Sequence, residues 1–413
     1  MAPPVNRKIL IGAVALLGLS ACTGASKSAT SKGRVNALAS GSSIPRVTAQ
    51  RAKSLDNGFV ALLEKHEVQT AGVAVIKNGR LQWTGYYGEQ SAGVPASART
   101  QFDIASVTKT VSAETVLRLA SEGAPDLDEP MATHWRDQDL VDEPLAEALT
   151  PRTALSHSTG LPNGRFLADD GSGYDPSLPL RIGFQPGTSF RYSGEGLEYV
   201  ARFVQAKLGA DFEQLVKDEV FEPAGMSGVS FSRREANFPN IVHAVDAQGE
   251  FPGHYCRPGG FMCRAEGFWS AADDMRVTVP DHAKFLIGAM NGEGLSPKVL
   301  AARNTVQIEK WNEPDSILVR CDEVSATQCP KKQGYGLGWE VADYGDHQLL
   351  AHGGSDFSEV AITYFYTDTK DGIIILLNAP NASATAMMAD AIELVHPGSP
   401  IAPHYRFWNR QQS

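Results

Sequence analysis

Ser106 and Lys109 stand three residues apart in Ser106-Val107-Thr108-Lys109, at the head of a segment with helical periodicity. Positions i and i+3 of an α-helix share a face, so the hydroxyl and the amine converge on one pocket. That pairing suits acyl transfer, with the serine as nucleophile and the amine as its base. Val107, Val111, Val116, Leu117, Leu119 and Ala120 supply a mostly apolar flank, and Gly123 offers a stop. The flank draws Lys109 inward, where burial and the positive end of the helix dipole both disfavour a charged amine. The same dipole favours a developing alkoxide. An isolated S-x-x-K pair more often only caps a helix and reaches for water, so the rest of the chain must decide.

The elements that must position this pair come from both ends of the sequence. A helical stretch around 58–65 precedes two strand-like runs, 71–76 and 81–86, flanking Asn78-Gly79, a strong hairpin signal. Far downstream, runs 335–341, 348–352, 360–366 and 373–378 form a second strand series, followed by a helix over about 383–395. The expectation is an α+β fold: one antiparallel sheet built from N- and C-terminal segments, flanked by helices. The sheet part covers about 49–122 and 330–400, and 123–329 reads as a mostly helical insertion with Gly and Pro punctuation. A cleft between the two is the expected place for a site. Gly334-Tyr335-Gly336-Leu337-Gly338 introduces a strand with no helix after it, which argues against a phosphate loop.

Three more segments add to the pair: 155–161 (Leu-Ser-His-Ser-Thr-Gly-Leu), 184–194 (Phe-Gln-Pro-Gly-Thr-Ser-Phe-Arg-Tyr-Ser-Gly), and His352-Gly353-Gly354. Together they resemble the penicillin-recognising serine hydrolases related to class C β-lactamases, over about residues 50–395. The order and wide spacing match that family's S-x-x-K, Y-x-N and K-T-G elements. The resemblance implies a β-lactamase/transpeptidase-like fold, Ser106 as nucleophile, Lys109 as general base and Tyr192 as the second proton carrier. It also implies that a substrate lies along His352-Gly353-Gly354, with the backbone N–H groups of Ser106 and Ser355 forming the oxyanion hole. No cofactor is implied. The family's segment around His157 is structural, which places this residue in a turn.

Two departures bear on the substrate. Histidine replaces the lysine of K-T-G, and an ordinary imidazole carries full charge only below about pH 6.5, so a permanent cation for a carboxylate is missing. Gly194 replaces the asparagine of Y-x-N, which removes an amide and is expected to widen the acyl pocket. The expectation is therefore a hydrolase of a small-molecule or peptide ester or amide. The alternatives are a β-lactamase or D-Ala-D-Ala carboxypeptidase, and a noncatalytic envelope binding protein on the same fold. Glu195 and Glu198 read as solvated.

The N-terminus bounds the compartment. Arg7 and Lys8, an apolar stretch 9–19 and then small residues form a secretory signal over 1–21, too short to span a bilayer. Leu19-Ser20-Ala21-Cys22 resembles the lipobox of bacterial lipoproteins, which implies lipidation of Cys22, and Thr23 favours the outer membrane over the inner. Residues 22–48 then read as a lipidated flexible tether reaching roughly 25 Å, and 49–400 as the hydrolase domain. In an oxidising compartment Cys256, Cys263, Cys321 and Cys329 are disulfide candidates with three possible connectivities. Short loops favour Cys256 with Cys263 and Cys321 with Cys329. No zinc motif appears, and no metal is expected. Formal charge is −10, and loss of Arg7 and Lys8 leaves 35 basic against 47 acidic residues, which repels nucleic acid.

Overall fold

Asn78 and Gly79, at φ 51 and 68, make the tight turn that their residue types predict. They join β1 (Thr70–Lys77) to β2 (Arg80–Ser91). In this computed structural model, residues 44–166, 175–251, 265–273, 275–311 and 318–412 are described, all within one unit, 40–413. The signal, Cys22, most of the tether, Cys256 and Cys263 lie outside the described residues.

The other strands in chain order are β3 (Val94–Pro95), β4 (Gln101–Asp103), β5 (Val229–Ser230), β6 (Arg276–Thr278), β7 (Ile308–Glu309), β8 (Lys332–Tyr335), β9 (Glu340–Asp343), β10 (Gln348–Ser355), β11 (Glu359–Tyr366) and β12 (Gly372–Asn378). Nine of them form one sheet in the order β3-β2-β1-β12-β11-β10-β9-β8-β7. The two ends of the chain meet inside it: β1 pairs antiparallel with β12, from Thr70 opposite Asn378 to Ile76 opposite Gly372. The expected fold class is the one observed. The insertion is less purely helical than expected, since β5 and β6 join β4 in a separate three-stranded sheet.

The run 335–341 is not one strand. It reverses between β8 and β9 as a hairpin, and a Cβ at Gly338 (φ +80) would stand 2.1 Å from the Ala113 Cβ. The turn is pressed against a helix, and apolar residues at its tip mimic strand patterning.

Both sheet faces are covered, which is why β12 reads as an unbroken apolar run rather than an alternating one. Val73, Val75, Ile362, Ile373 and Ile375 pack in a core with α1 (Ala49–His66) and the C-terminal helices Asn381–Val395 and Ala402–Gln412. Ala74, Ile76, Ala361, Ile374 and Leu376 face the opposite core, which contains α2 (Thr108–Glu122). Each fully buried isoleucine or valine contributes about 1.5–3 kcal/mol.

Helix α2 is buried from Thr108 through Leu119. Inside the core its Glu114 Oε1 accepts from Arg303 Nη1 at 2.8 Å and from Trp339 Nε1 at 2.9 Å. Removing one partner of such a buried pair costs about 3–5 kcal/mol. The rotation of α2, and with it the direction of Ser106 and Lys109, is fixed from behind.

Candidate active site

Ser106 sits in a single 3-10 turn, Ala105–Val107, that runs directly into α2. Ala105 adopts φ 45, an unfavourable conformation for a residue with a Cβ. Its N–H donates to Asp103 Oδ1 at 2.9 Å, so β4 holds the turn in place. Lys109, 2 % exposed, donates to Ser106 Oγ at 2.9 Å and to the Ala272 carbonyl at 2.8 Å. The pair converges as the i, i+3 spacing predicts. The Ala272 carbonyl, invisible to sequence reasoning, is the amine's second anchor.

Glu198 supports that anchor. Its Oε1 accepts from Ser270 Oγ at 2.6 Å and from the Ala271 N–H at 2.9 Å. Glu195 Oε1 accepts from the Arg165 N–H at 2.7 Å, and burial raises this carboxyl above its ordinary value. Neither is the solvated residue its sequence context suggested, because both carboxylates satisfy backbone donors of loops packed on the helix Gly194–Leu208.

Tyr192 lies beside the amine, with Lys109 Nζ 4.9 Å from its ring centroid. Its segment is held by His157 from both sides: the His157 carbonyl accepts from the Arg191 N–H at 2.8 Å, and His157 Nδ1 accepts from the Ser193 N–H at 3.0 Å. The imidazole packs on the Tyr192 ring at 4.4 Å between centroids. Burial, then the Lys109 charge, pushes His157 well below the usual imidazole value, so the ring is neutral and its Nε2 carries the proton. The expected structural turn is found, with φ 55 at this residue.

Strand β10 passes in front of the nucleophile. A Cβ at Gly354 would lie 2.4 Å from the Ile104 carbonyl oxygen and 3.0 Å from the Ser106 nitrogen, so the strand's closeness depends on the missing side chain. His352 faces inward with Nδ1 2.6 Å from the Gly353 carbonyl, to which it donates. Burial, reinforced by the Lys109 charge, lowers this imidazole to about 3. The sequence reading let it become charged below about pH 6.5, but the buried ring stays neutral well below that.

Ser106, Tyr192, His352, Gly353, Gly354 and Ser355 line one cavity of about 560 Å³, a volume ordinary for a small-molecule site. Asn163, Phe190, Arg191, Glu340, Tyr405 and Trp408 complete it; Phe190 and Arg191 lie in the quoted 184–194 segment, and the other four were not identified from sequence. Asn163 corrects the expectation that Gly194 widens the pocket. The Gly194 N–H donates to the Asn163 carbonyl at 3.0 Å and to its Oδ1 at 3.1 Å, and a Cβ at Gly194 would meet that carbonyl at 2.4 Å. The space is occupied by an amide from another loop. Asn163 follows the quoted 155–161 segment by two residues, the one local signal that could have found it.

Cys321 and Cys329 form a disulfide with Cα atoms 5.0 Å apart, one of the two short-loop pairings expected. Among the described residues no cluster of three or more His, Cys, Asp or Glu side chains could hold a metal, and no helix is long and apolar enough to cross a membrane.

The family model described as Beta-lactamase matches residues 55–396. A solved structure, the octameric penicillin-binding protein homologue from Pyrococcus abyssi, superposes with a TM-score of 0.66 at 20 % identity, covering 87 % of this chain and 80 % of that one. At that identity the likeness shows the fold. Among curated proteins, Protein flp of Staphylococcus aureus strain MW2 is 23 % identical over 217 residues, 50 % of this chain and 44 % of its own. Penicillin-binding protein 4 of Amycolatopsis lactamdurans is 27 % identical over 176 residues, 41 % of this chain and 46 % of its own. The chain spans less than half the length of these curated relatives.

Proposed function

The chain belongs to the beta-lactamase family, and from that premise we propose that it is a serine hydrolase cleaving an ester or amide through an acyl-enzyme on Ser106. The observation that carries the reading is the buried Lys109 amine 2.9 Å from Ser106 Oγ, with Tyr192 beside it, at the wall of an open cavity. In its neutral form Lys109 takes the hydroxyl proton as Ser106 Oγ bonds to the substrate carbonyl carbon. The negative charge that develops on the carbonyl oxygen is met by the backbone N–H groups of Ser106 and Ser355. Tyr192 delivers a proton to the departing oxygen or nitrogen as its bond to the acyl carbon breaks, and water then cleaves the Ser106 ester.

Esters and uncharged amides fit this cavity better than β-lactams or peptide C-termini. Those substrates carry a carboxylate, and the neutral His352 in the K-T-G position offers it no charge partner, which leaves Arg191 as the cation among the described residues lining the cavity. Fluorophosphonate labelling and turnover of p-nitrophenyl butyrate are expected for the wild type and lost in Ser106→Ala with the thermal melt retained. Turnover surviving in that variant rules the assignment out, and faster hydrolysis of a chromogenic cephalosporin than of the ester reverses the substrate preference. Export and lipidation at Cys22 belong to the same proposal. Cells fed an alkyne fatty acid should label the protein, and Cys22→Ser should abolish the label.

A further inference from the structure

The helix Ala402–Gln412 begins six residues past the end of the family match at 396, yet it supplies part of the substrate cavity. Tyr405 and Trp408 are three residues apart, so one helix face presents both rings. They lie nearly edge to face, 5.9 Å between centroids at 86°. Tyr405 is 1 % exposed and Trp408 half-buried, and both line the cavity that holds Ser106. Phe190 and Tyr192 contribute two more rings from the insertion side.

The rest of the helix is tied down by other contacts. Arg406 pairs with Glu393 at 3.2 Å, Arg410 pairs with Glu323, and the Arg320 guanidinium stacks 3.6 Å from the centre of the Phe407 ring. Anchored on that side, the helix holds its two aromatic rings as a fixed wall rather than as a loose end. Four aromatic side chains lining one cavity give a flat apolar group ring-to-ring contact beyond simple burial.

Resting on the hydrolase reading above, we propose that Tyr405 and Trp408 form an aryl-binding subsite, so that the preferred substrates are esters or amides bearing an aromatic ring. The ring is held between the C-terminal helix and Phe190 while the carbonyl lies at Ser106. Selectivity then comes from a segment outside the matched family region.

The test pairs kinetics with binding. Ethyl acetate, phenyl acetate and ethyl phenylacetate place an aryl group nowhere, in the leaving group and in the acyl group. Trp408→Ala is expected to raise KM for at least one aryl ester by about tenfold and to lower kcat/KM for that ester several-fold more than for ethyl acetate. Trp408→Phe should keep the wild-type preference. The binding arm uses Ser106→Ala protein, which cannot turn over, and measures ethyl phenylacetate affinity by calorimetry with and without Trp408→Ala. A loss of about tenfold in affinity is expected there. Equal effects on all three esters, or unchanged affinity in the Ser106→Ala background, overturn the subsite. The Tyr405→Leu variant repeats the measurement should Trp408→Ala fail to fold. Because the binding arm needs no chemistry, a wild type that fluorophosphonate does not label sinks the hydrolase reading, and the affinity ratio still judges the subsite.

Discussion

Gly354 controls how close β10 comes to the nucleophile. Both atoms that its Cβ would strike, the Ile104 carbonyl oxygen at 2.4 Å and the Ser106 nitrogen at 3.0 Å, are backbone, so no flexible side chain can yield. In Gly354→Ala the strand must retreat, carrying Ser355 away from Ser106 and opening the proposed oxyanion hole. A fall in kcat of about 100-fold or more is expected, the cost of losing one such donor. Steady-state kinetics beside a melting curve checks it, and an unchanged kcat refutes the role given to this approach. Asn163 acts at the same scale. Its Oδ1 is engaged by the Gly194 N–H, and among the described residues its Nδ2 has no partner, leaving a donor at the cavity edge. Asn163→Ala should raise KM about three- to tenfold, the worth of one neutral hydrogen bond, and leave kcat near wild type.

At the scale of elements, the loop closed by Cys321 and Cys329 braces the helix that bears Tyr405 and Trp408. Arg320 covers Phe407, Glu323 pairs with Arg410, and Gln328 Nε2 donates to the Gly398 carbonyl at 3.0 Å. A cross-link over a separation of eight residues contributes about 2–3 kcal/mol in the chain-entropy account. The double variant Cys321→Ser, Cys329→Ser should therefore melt several degrees lower. It should also lose rate on aryl esters more than on ethyl acetate. Equal losses on both substrates would separate the brace from the wall. Elements whose signals are local were legible in the sequence: the i, i+3 pair at the head of α2, the Asn78-Gly79 turn, and the strand runs of β1 and β12. What stayed hidden depends on residues far apart in the chain meeting. The Ala272 carbonyl reaches Lys109 across the insertion, Asn163 fills the place beside Gly194, and Glu198 serves backbone donors that a helix-face reading leaves in water. The helix Ala402–Gln412 had a readable sign, Tyr405 and Trp408 at helical spacing, but nothing local tied it to Ser106 some three hundred residues earlier.

For the whole molecule, covering a nine-stranded sheet on both faces buries titratable rings both at the site and away from it. His282, His396 and His404, like His352, are pushed by burial to about 3, and His157 well below its usual value. These rings are neutral when folded and bind protons in the unfolded chain near pH 6.5. Their contribution to stability is thus complete above about 6.5 and is lost progressively as pH falls toward 3. Each ring adds a slope of up to about 1.4 kcal/mol per pH unit in that window. The partnered carboxylates Asp128, Asp281 and Asp390 are held below their usual range, so their contribution disappears only below about 3.8. Acid sensitivity between pH 6.5 and 4 therefore belongs to the histidines. Urea midpoints measured from pH 8 to 4.5 should stay flat above 6.5 and drop steeply beneath it. His282 gives the cleanest check, because both its ring nitrogens are buried without a partner among the described residues. Replacing it by leucine removes an unsatisfied polar group and one proton from the slope, so His282→Leu should gain on the wild type as pH falls, with the difference at pH 5 exceeding that at pH 8. Parallel profiles for the two proteins would show that this ring titrates alike in the folded and unfolded chain, contrary to its burial.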